Sequence, residues 1–128
     1  MDLVDLKKAA LKKLLNIYQS ALKKAEKKKQ EEKIASYNQI IKEIQSVQEY
    51  PVKYDKVGNY SLVIISDKYG LQKRYFICDR SQGEIACGNG EVINFVGTGT
   101  YFYEMMKDCT VKKQFRLGAD DVSIVKIA

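Results

Sequence analysis

The chain of 128 residues contains no histidine and three cysteines, Cys78, Cys87 and Cys109. Histidine is the side chain best matched to proton transfer near neutral pH, so its absence removes the Ser-His and Cys-His pairs on which much hydrolytic and acyl-transfer chemistry rests. The cysteines are odd in number and show no Cys-x-x-Cys spacing, which points away from a disulfide framework or a usual zinc site and toward buried free thiols. Asp120 and Asp121 are adjacent carboxylates after a glycine, a composition that reads as a solvated hairpin turn before it reads as a metal site. Gly97-Thr98-Gly99-Thr100 could cradle an anion on its backbone N–H groups. No Lys-Ser/Thr pair and no long helix follow it, so a turn is the reading favoured. The chain is expected to be non-enzymatic, with no cofactor and no metal.

The side chains with chemistry left to do are lysines. Residues 1 to 50 hold eleven lysines against seven acids, a net +4 of the chain's +6. Lys7, Lys8, Lys12, Lys13, Lys23, Lys24, Lys27 and Lys28 are spaced to line one flank of a helix, a geometry that could follow a phosphate backbone. Lysine-rich flanks are also the ordinary solvated face of an exposed helix, and no arginines or interleaved aromatics accompany these to give sequence-specific contacts.

The element that must carry them is residues 2 to 49, which contain neither Gly nor Pro. Leu3, Leu6, Ala10, Leu14, Tyr18, Ala21 and Ala25 recur at intervals of three and four, and Ile34, Tyr37, Ile41, Ile44 and Gln48 keep the same rhythm. Between the two stripes, Glu26 to Lys33 are all charged or amide residues, which cannot join a packed seam. The break favours an antiparallel helical hairpin, a short coiled coil, turning within 26–33. With no Gly, Asn or Pro there to make the turn, one unbroken helix, free to dimerise along the same stripe, is the other reading. Pro51 closes the helical region and sets the boundary between an arm at 1–50 and a body at 51–128.

In the body, 51–59 read as a linker or an entering strand, 60–66 as a central strand and 71–79 as its neighbour across the Asp67–Gly70 turn. Asn89-Gly90 is expected to close a tight hairpin leading into a strand over 91–96, so consecutive strands should be antiparallel. A two-turn helix over 101–108 would set Phe102, Met105 and Met106 against the sheet. Thr110 to Leu117 alternates as a half-wet strand, with Val111, Phe115 and Leu117 inward, and 122–127 closes the chain as a strand. No run approaches the ~20 apolar residues that span a bilayer, and no secretory pattern opens the chain, so a cytoplasmic protein without a membrane partner is expected.

This order resembles a reduced Gre factor, a family of transcription elongation factors that join an antiparallel coiled coil to an FKBP-like domain. Ser61-Leu62-Val63 and Arg74-Tyr75-Phe76-Ile77 resemble the first two strands of the family domain, Val92 to Val96 and Gly97 to Thr100 a strand and its loop, Met105-Met106 a leucine pair, and Val122 to Ile127 the closing strand. The Ser-Pro of the family loop and the Gly-Asp beyond the leucine pair have no counterparts here. The resemblance implies an α+β fold, a helical hairpin followed by a small antiparallel β domain with one short helix. It also implies a partner, bacterial RNA polymerase, entered at the secondary channel. In the family, acidic residues at the coiled-coil tip help hold a catalytic Mg²⁺ for transcript cleavage. The corresponding tip residues here are Glu26, Glu31 and Glu32, set among Lys27, Lys28, Lys29 and Lys33, and neighbouring ammonium groups weaken a carboxylate's hold on a cation. Polymerase binding without cleavage stimulation is therefore the expectation, with Gly97, Thr98, Gly99 and Thr100 and the exposed members of Tyr101, Phe102 and Tyr103 as docking residues. The alternative is a basic hairpin module that binds nucleic acid or a partner helix, as a monomer or a coiled-coil dimer.

Overall fold

The structure, a computed structural model, describes residues 3–49, 54–80, 83–87 and 91–128. The chain divides into two units, one formed by Met1–Lys7 with Lys53–Ala128 and the other by Lys8–Val52. The expected boundary at Pro51 and the expected Asn89-Gly90 turn lie outside the described residues.

The breaker-free stretch is a hairpin, not one long helix. Helix α1 spans Leu3–Lys27 and helix α2 spans Glu31–Glu49. Leu14, Tyr18, Ala25, Ile41 and Ile44 are buried, and Tyr18 meets Tyr37 with ring centroids 5.9 Å apart and planes tilted by 51°. With Tyr18 beside Tyr37, antiparallel helices place Leu14 level with Ile41 and Leu11 level with Ile44, so the two sequence stripes form one seam. Full burial of an aliphatic side chain such as Leu14 or Ile44 is worth about 1.5–3 kcal/mol, which outweighs the cost of a turn lacking its usual residues.

That turn is a Schellman motif built on a lysine. The Gln30 N–H donates to the Ala25 carbonyl (3.0 Å) and the Lys29 N–H to the Glu26 carbonyl (3.1 Å), the 6→1 and 5→2 bonds that satisfy the last carbonyls of a helix. The motif requires a left-handed residue, and Lys29 occupies it at φ 55°. The Gln30 carbonyl then accepts from the Ile34 N–H (3.0 Å), opening α2.

The other unit is a six-stranded sheet. Its strands are β1 (Leu62–Asp67), β2 (Gln72–Cys78), β3 (Glu84–Cys87), β4 (Glu91–Gly97), β5 (Gln114–Leu117) and β6 (Asp120–Ile127), with helix α3 (Tyr101–Met106) after β4. The spatial order is β3-β4-β2-β1-β6-β5. β1 pairs antiparallel with β2 and β6, β3 with β4, and β5 with β6. The expectation that consecutive strands are all antiparallel fails at one place: β2 and β3 do not pair, and β4 lies parallel to β2 with Phe76 opposite Phe95. The chain skips one strand position after β2, and β4 fills the gap on its return. β3 has no counterpart in the sequence reading, because Glu84-Ile85-Ala86-Cys87 is too short to show a period.

Val63, Ile65, Tyr75, Ile77, Val96, Val122, Ile124 and Ile127 line one face of the sheet and pack with Val57, Tyr103 and Met106 into a single core. The strand expected over 110–117 is shorter than its pattern. Lys112 sits at φ 78°, and Val111 is exposed instead of inward; within β5 only Phe115 and Leu117 turn toward the core. The C-terminus is pinned by reciprocal bonds between Leu62 and Ala128 (2.8 and 2.9 Å).

Candidate binding surfaces

At the hairpin tip every side chain from Glu26 to Lys33 is exposed except Gln30, which is half-buried. Lys24 and Lys27 stand in the last turn of α1, and Glu31 and Glu32 in the first turn of α2. Each pair opposes the partial charge of its own helix end, which is worth a few tenths of a kcal/mol per residue. The glutamates thus have a structural role at the start of α2 whatever else they bind. Residues 23 to 33 carry six lysines and three glutamates, a net +3. A divalent cation would meet this tip as a positive field, so the residues present do not fit the Mg²⁺ site that the family resemblance implies. Among the described residues, no group of three or more Cys, Asp or Glu is placed to share a metal ion.

Seven of the eight lysines expected to form a basic flank are exposed. They are Lys8, Lys12, Lys13, Lys23, Lys24, Lys27 and Lys28, and at 100° per residue Lys8, Lys12, Lys13, Lys23 and Lys27 fall on the side of α1 opposite its apolar stripe, with Lys24 at the angle of Leu6 on the border. Lys7 departs from them. It is only 6% exposed, and its Nζ lies 4.1 Å from the centroid of the Tyr54 ring. Burial lowers its pKa from 10.5 to about 8 and raises that of the Tyr54 phenol. The sequence contains the signal for this: 7, 11, 14, 18 and 25 share one helix face, so Lys7 continues the apolar stripe while Lys8 begins the wet one.

In the sheet unit the Gly97–Thr100 loop is committed to its own structure. The Thr98 N–H donates to the Cys78 carbonyl (2.8 Å) and the Thr100 N–H to the Gly97 carbonyl (3.1 Å). Thr100 caps α3, with its Oγ1 donating to the Gly97 carbonyl (2.7 Å) and accepting from the Tyr103 N–H (3.3 Å). Two of the N–H groups that would cradle an anion are thereby spent, and the loop is a capping turn. Gly97 is buried, Gly99 exposed, and Thr98 and Thr100 are in between. The three aromatics that follow part company: Tyr101 is 79% exposed and Tyr103 7%, while Phe102 packs on Tyr75 with ring centroids 5.0 Å apart. Only Tyr101 offers a whole ring to a partner.

Both described thiols are free, as the sequence leads one to expect, but only Cys78 is fully buried. Cys78 is buried, and burial raises its pKa to about 11, so it is a protonated and unreactive group at neutral pH. The half-buried Cys109 donates its thiol to the Met105 carbonyl (3.7 Å). Asp120 and Asp121 are exposed at the start of β6, opposite Leu117 and Arg116.

The Asp67–Gly70 turn stands between β1 and β2 where its composition places it, but no sequence signal announced the apolar side chains it presents. Asp67 Oδ1 accepts from the Tyr69 and Leu71 N–H groups (both 2.9 Å), and this fixed loop holds Tyr69 81% and Leu71 61% exposed. An Asp at the first position of a turn is a recognisable signal for such a clamp, but outward apolar residues leave no period to read.

No protein-family model matches the chain, and no curated protein matches it. Among solved structures it is similar to GreA factor homolog 1 (Gfh1) of Thermus thermophilus, at 12% identity and a TM-score of 0.45 over 94% of each chain. It is also similar to Gfh1 of Thermus aquaticus, at 13% identity and a TM-score of 0.41 over 92% of this chain and 91% of that one. No helix among the described residues is long and apolar enough to cross a membrane.

Proposed function

We propose that this chain is a Gre-type factor that binds bacterial RNA polymerase at the secondary channel through its helical hairpin, without catalysing or stimulating transcript cleavage. The observation that carries the reading is the hairpin itself: helices of 25 and 19 residues closed by an exposed polar turn. At 1.5 Å per residue they are about 37 and 28 Å long, slender enough to enter a channel too narrow for a globular domain. The sequence resemblance described above supplies the identity of the channel. The positive tip supports the second half of the reading, since a net +3 around Glu26, Glu31 and Glu32 opposes the capture of a catalytic cation.

Capture of purified bacterial polymerase core by the tagged full chain tests this. Retention that survives nuclease and moderate salt, and that is lost when residues 27–33 are replaced by a short neutral turn, is the expected result. Polymerase that does not bind, or binds only through nucleic acid, overturns the reading.

A second reading rests on the distribution of charge between the helices. α1 holds seven lysines and two acids, with no acid from Leu6 to Ala25, whereas α2 holds two lysines and four glutamates. Solvated helix faces usually mix signs, so a one-sign face of this length favours a polyanion such as a nucleic-acid backbone. If α1 neutralises about four phosphates, the logarithm of affinity for a labelled RNA should fall against log salt with a slope of about −3 to −4.

A further inference from the structure

The sheet ends at β5, whose outer edge has no strand partner among the described residues. Its pairing with β6 continues below the strand proper, where the Lys112 N–H donates to the Ile124 carbonyl (2.8 Å) and the Ile124 N–H to the Lys113 carbonyl (2.9 Å). These bonds set Lys112 and Lys113 together opposite Ile124, a bulge with Lys112 at φ 78°, so the regular edge runs from Gln114 to Leu117. In an antiparallel pair every second residue turns its N–H and C=O away from its partner, so this edge presents alternating backbone donors and acceptors to solvent. Phe115 and Leu117 belong to the core, which holds the edge in place, while Gln114 and Arg116 face the other side and are exposed.

The charge along this edge has one sign. Lys112, Lys113 and Arg116 are exposed, and no acid occurs from Cys109 to Leu117. The opposite edge strand, β3, carries Glu84 and no cation. Beside β5 the sheet surface is concave, a groove of about 450 Å³ whose lining includes Ser66, Asp67, Gln114, Arg116, Asp121 and Ser123. The groove itself is balanced in charge, so the preference for an anionic occupant belongs to the edge.

We propose that β5 is a docking edge for an extended acidic segment of a partner protein, which adds to the sheet as a seventh strand. Strand addition draws its affinity from main-chain hydrogen bonds and its selectivity from alternate side chains. Here the selectivity comes from carboxylates set against Lys112, Lys113 and Arg116. A nucleic-acid strand does not match this edge, because phosphates accept hydrogen bonds but give none to its outward carbonyls. The edge belongs to the sheet unit, and its test involves no polymerase, so it can fail or succeed independently of the proposed function.

The probe is a fluorescein-labelled peptide of alternating Val and Glu, titrated against the full chain by anisotropy. It is compared with a Val–Lys peptide and with a Val–Glu peptide N-methylated at alternate amides. The expected result is binding by the first, weakened about tenfold or more in each of the others, with the Gln114 and Arg116 amides slowed in hydrogen exchange by the bound peptide. Lys112→Glu, Lys113→Glu and Arg116→Glu together, all at exposed positions, should exchange the preference for Val–Glu for one for Val–Lys. Binding indifferent to N-methylation, or protection confined to α1, would overturn the proposal as plain charge attraction. No binding would overturn it too, leaving the three cations as guards against unwanted edge pairing, and so would an RNA oligomer that binds with the same loss on charge reversal.

Discussion

Lys29 closes the helical hairpin in a conformation that its Cβ disfavours, and the size of that penalty can be worked out. The left-handed region costs a residue with a Cβ about 1–2 kcal/mol. Glycine at the same place is free of that cost but gives up more freedom on folding, which returns about 0.4–1 kcal/mol to the unfolded chain. Lys29→Gly should therefore stabilise the chain by about 0.5–1 kcal/mol. Lys29→Ala keeps the Cβ and the φ of 55° while removing the charge, so it isolates electrostatics and should shift stability by less than about 0.3 kcal/mol. Urea titration followed by far-ultraviolet dichroism reads both, as a midpoint displaced at constant slope. Equal effects from the two variants, or destabilisation by glycine, would refute the assignment of strain to this turn.

Lys7 should give the chain a distinctive alkaline limb. Its folded pKa of about 8 lies below its unfolded value of 10.5, so the unfolded state binds more protons between those values and stability rises with pH across that window. The rise, about 1–2 kcal/mol after allowance for solvent screening, should vanish in Lys7→Met when urea midpoints at pH 7 and pH 10 are compared. Gly83 adopts φ 127°, and a Cβ there would stand 2.9 Å from Phe95 Cδ2; Gly83→Ala should destabilise by about 1–3 kcal/mol in the same titration. Met106 is fully buried beneath the sheet, so Met106→Ala should cost about 2–5 kcal/mol, whereas Tyr101→Ala at an exposed ring should leave the midpoint almost unmoved.

What could be read from the sequence was whatever repeats or runs unbroken. The two helical stripes and the clean alternation of Phe115 and Leu117 each bury one face and leave a period, whereas β1 and β2 are buried on both faces and show as continuous apolar runs. The hairpin tip was legible by a different route, as a polar stretch no seam could use, although its closure by a left-handed lysine was not, because that residue carries no turn signature. β3 and the parallel pairing of β4 with β2 were illegible, since a four-residue edge strand and a skipped strand position depend on partners distant in the chain. Lys7 was legible in principle. Its place in the apolar register was outweighed by its charge, and its burial, with Nζ over the Tyr54 ring, reverses that judgement. Among the proposed docking residues, composition gave three aromatics in a row. Only the capping of α3 by Thr100 decides that Tyr101 faces solvent while Tyr103 enters the core.

The central claim, that the hairpin tip enters the secondary channel of RNA polymerase, is tested most directly by placing a photoreactive amino acid at Lys29 and irradiating the full chain with polymerase core. The account expects cross-links to the polymerase segments that line the channel, reduced by excess unlabelled chain and unaffected by nuclease. Cross-links to nucleic acid alone, or to polymerase surfaces outside the channel, would contradict it.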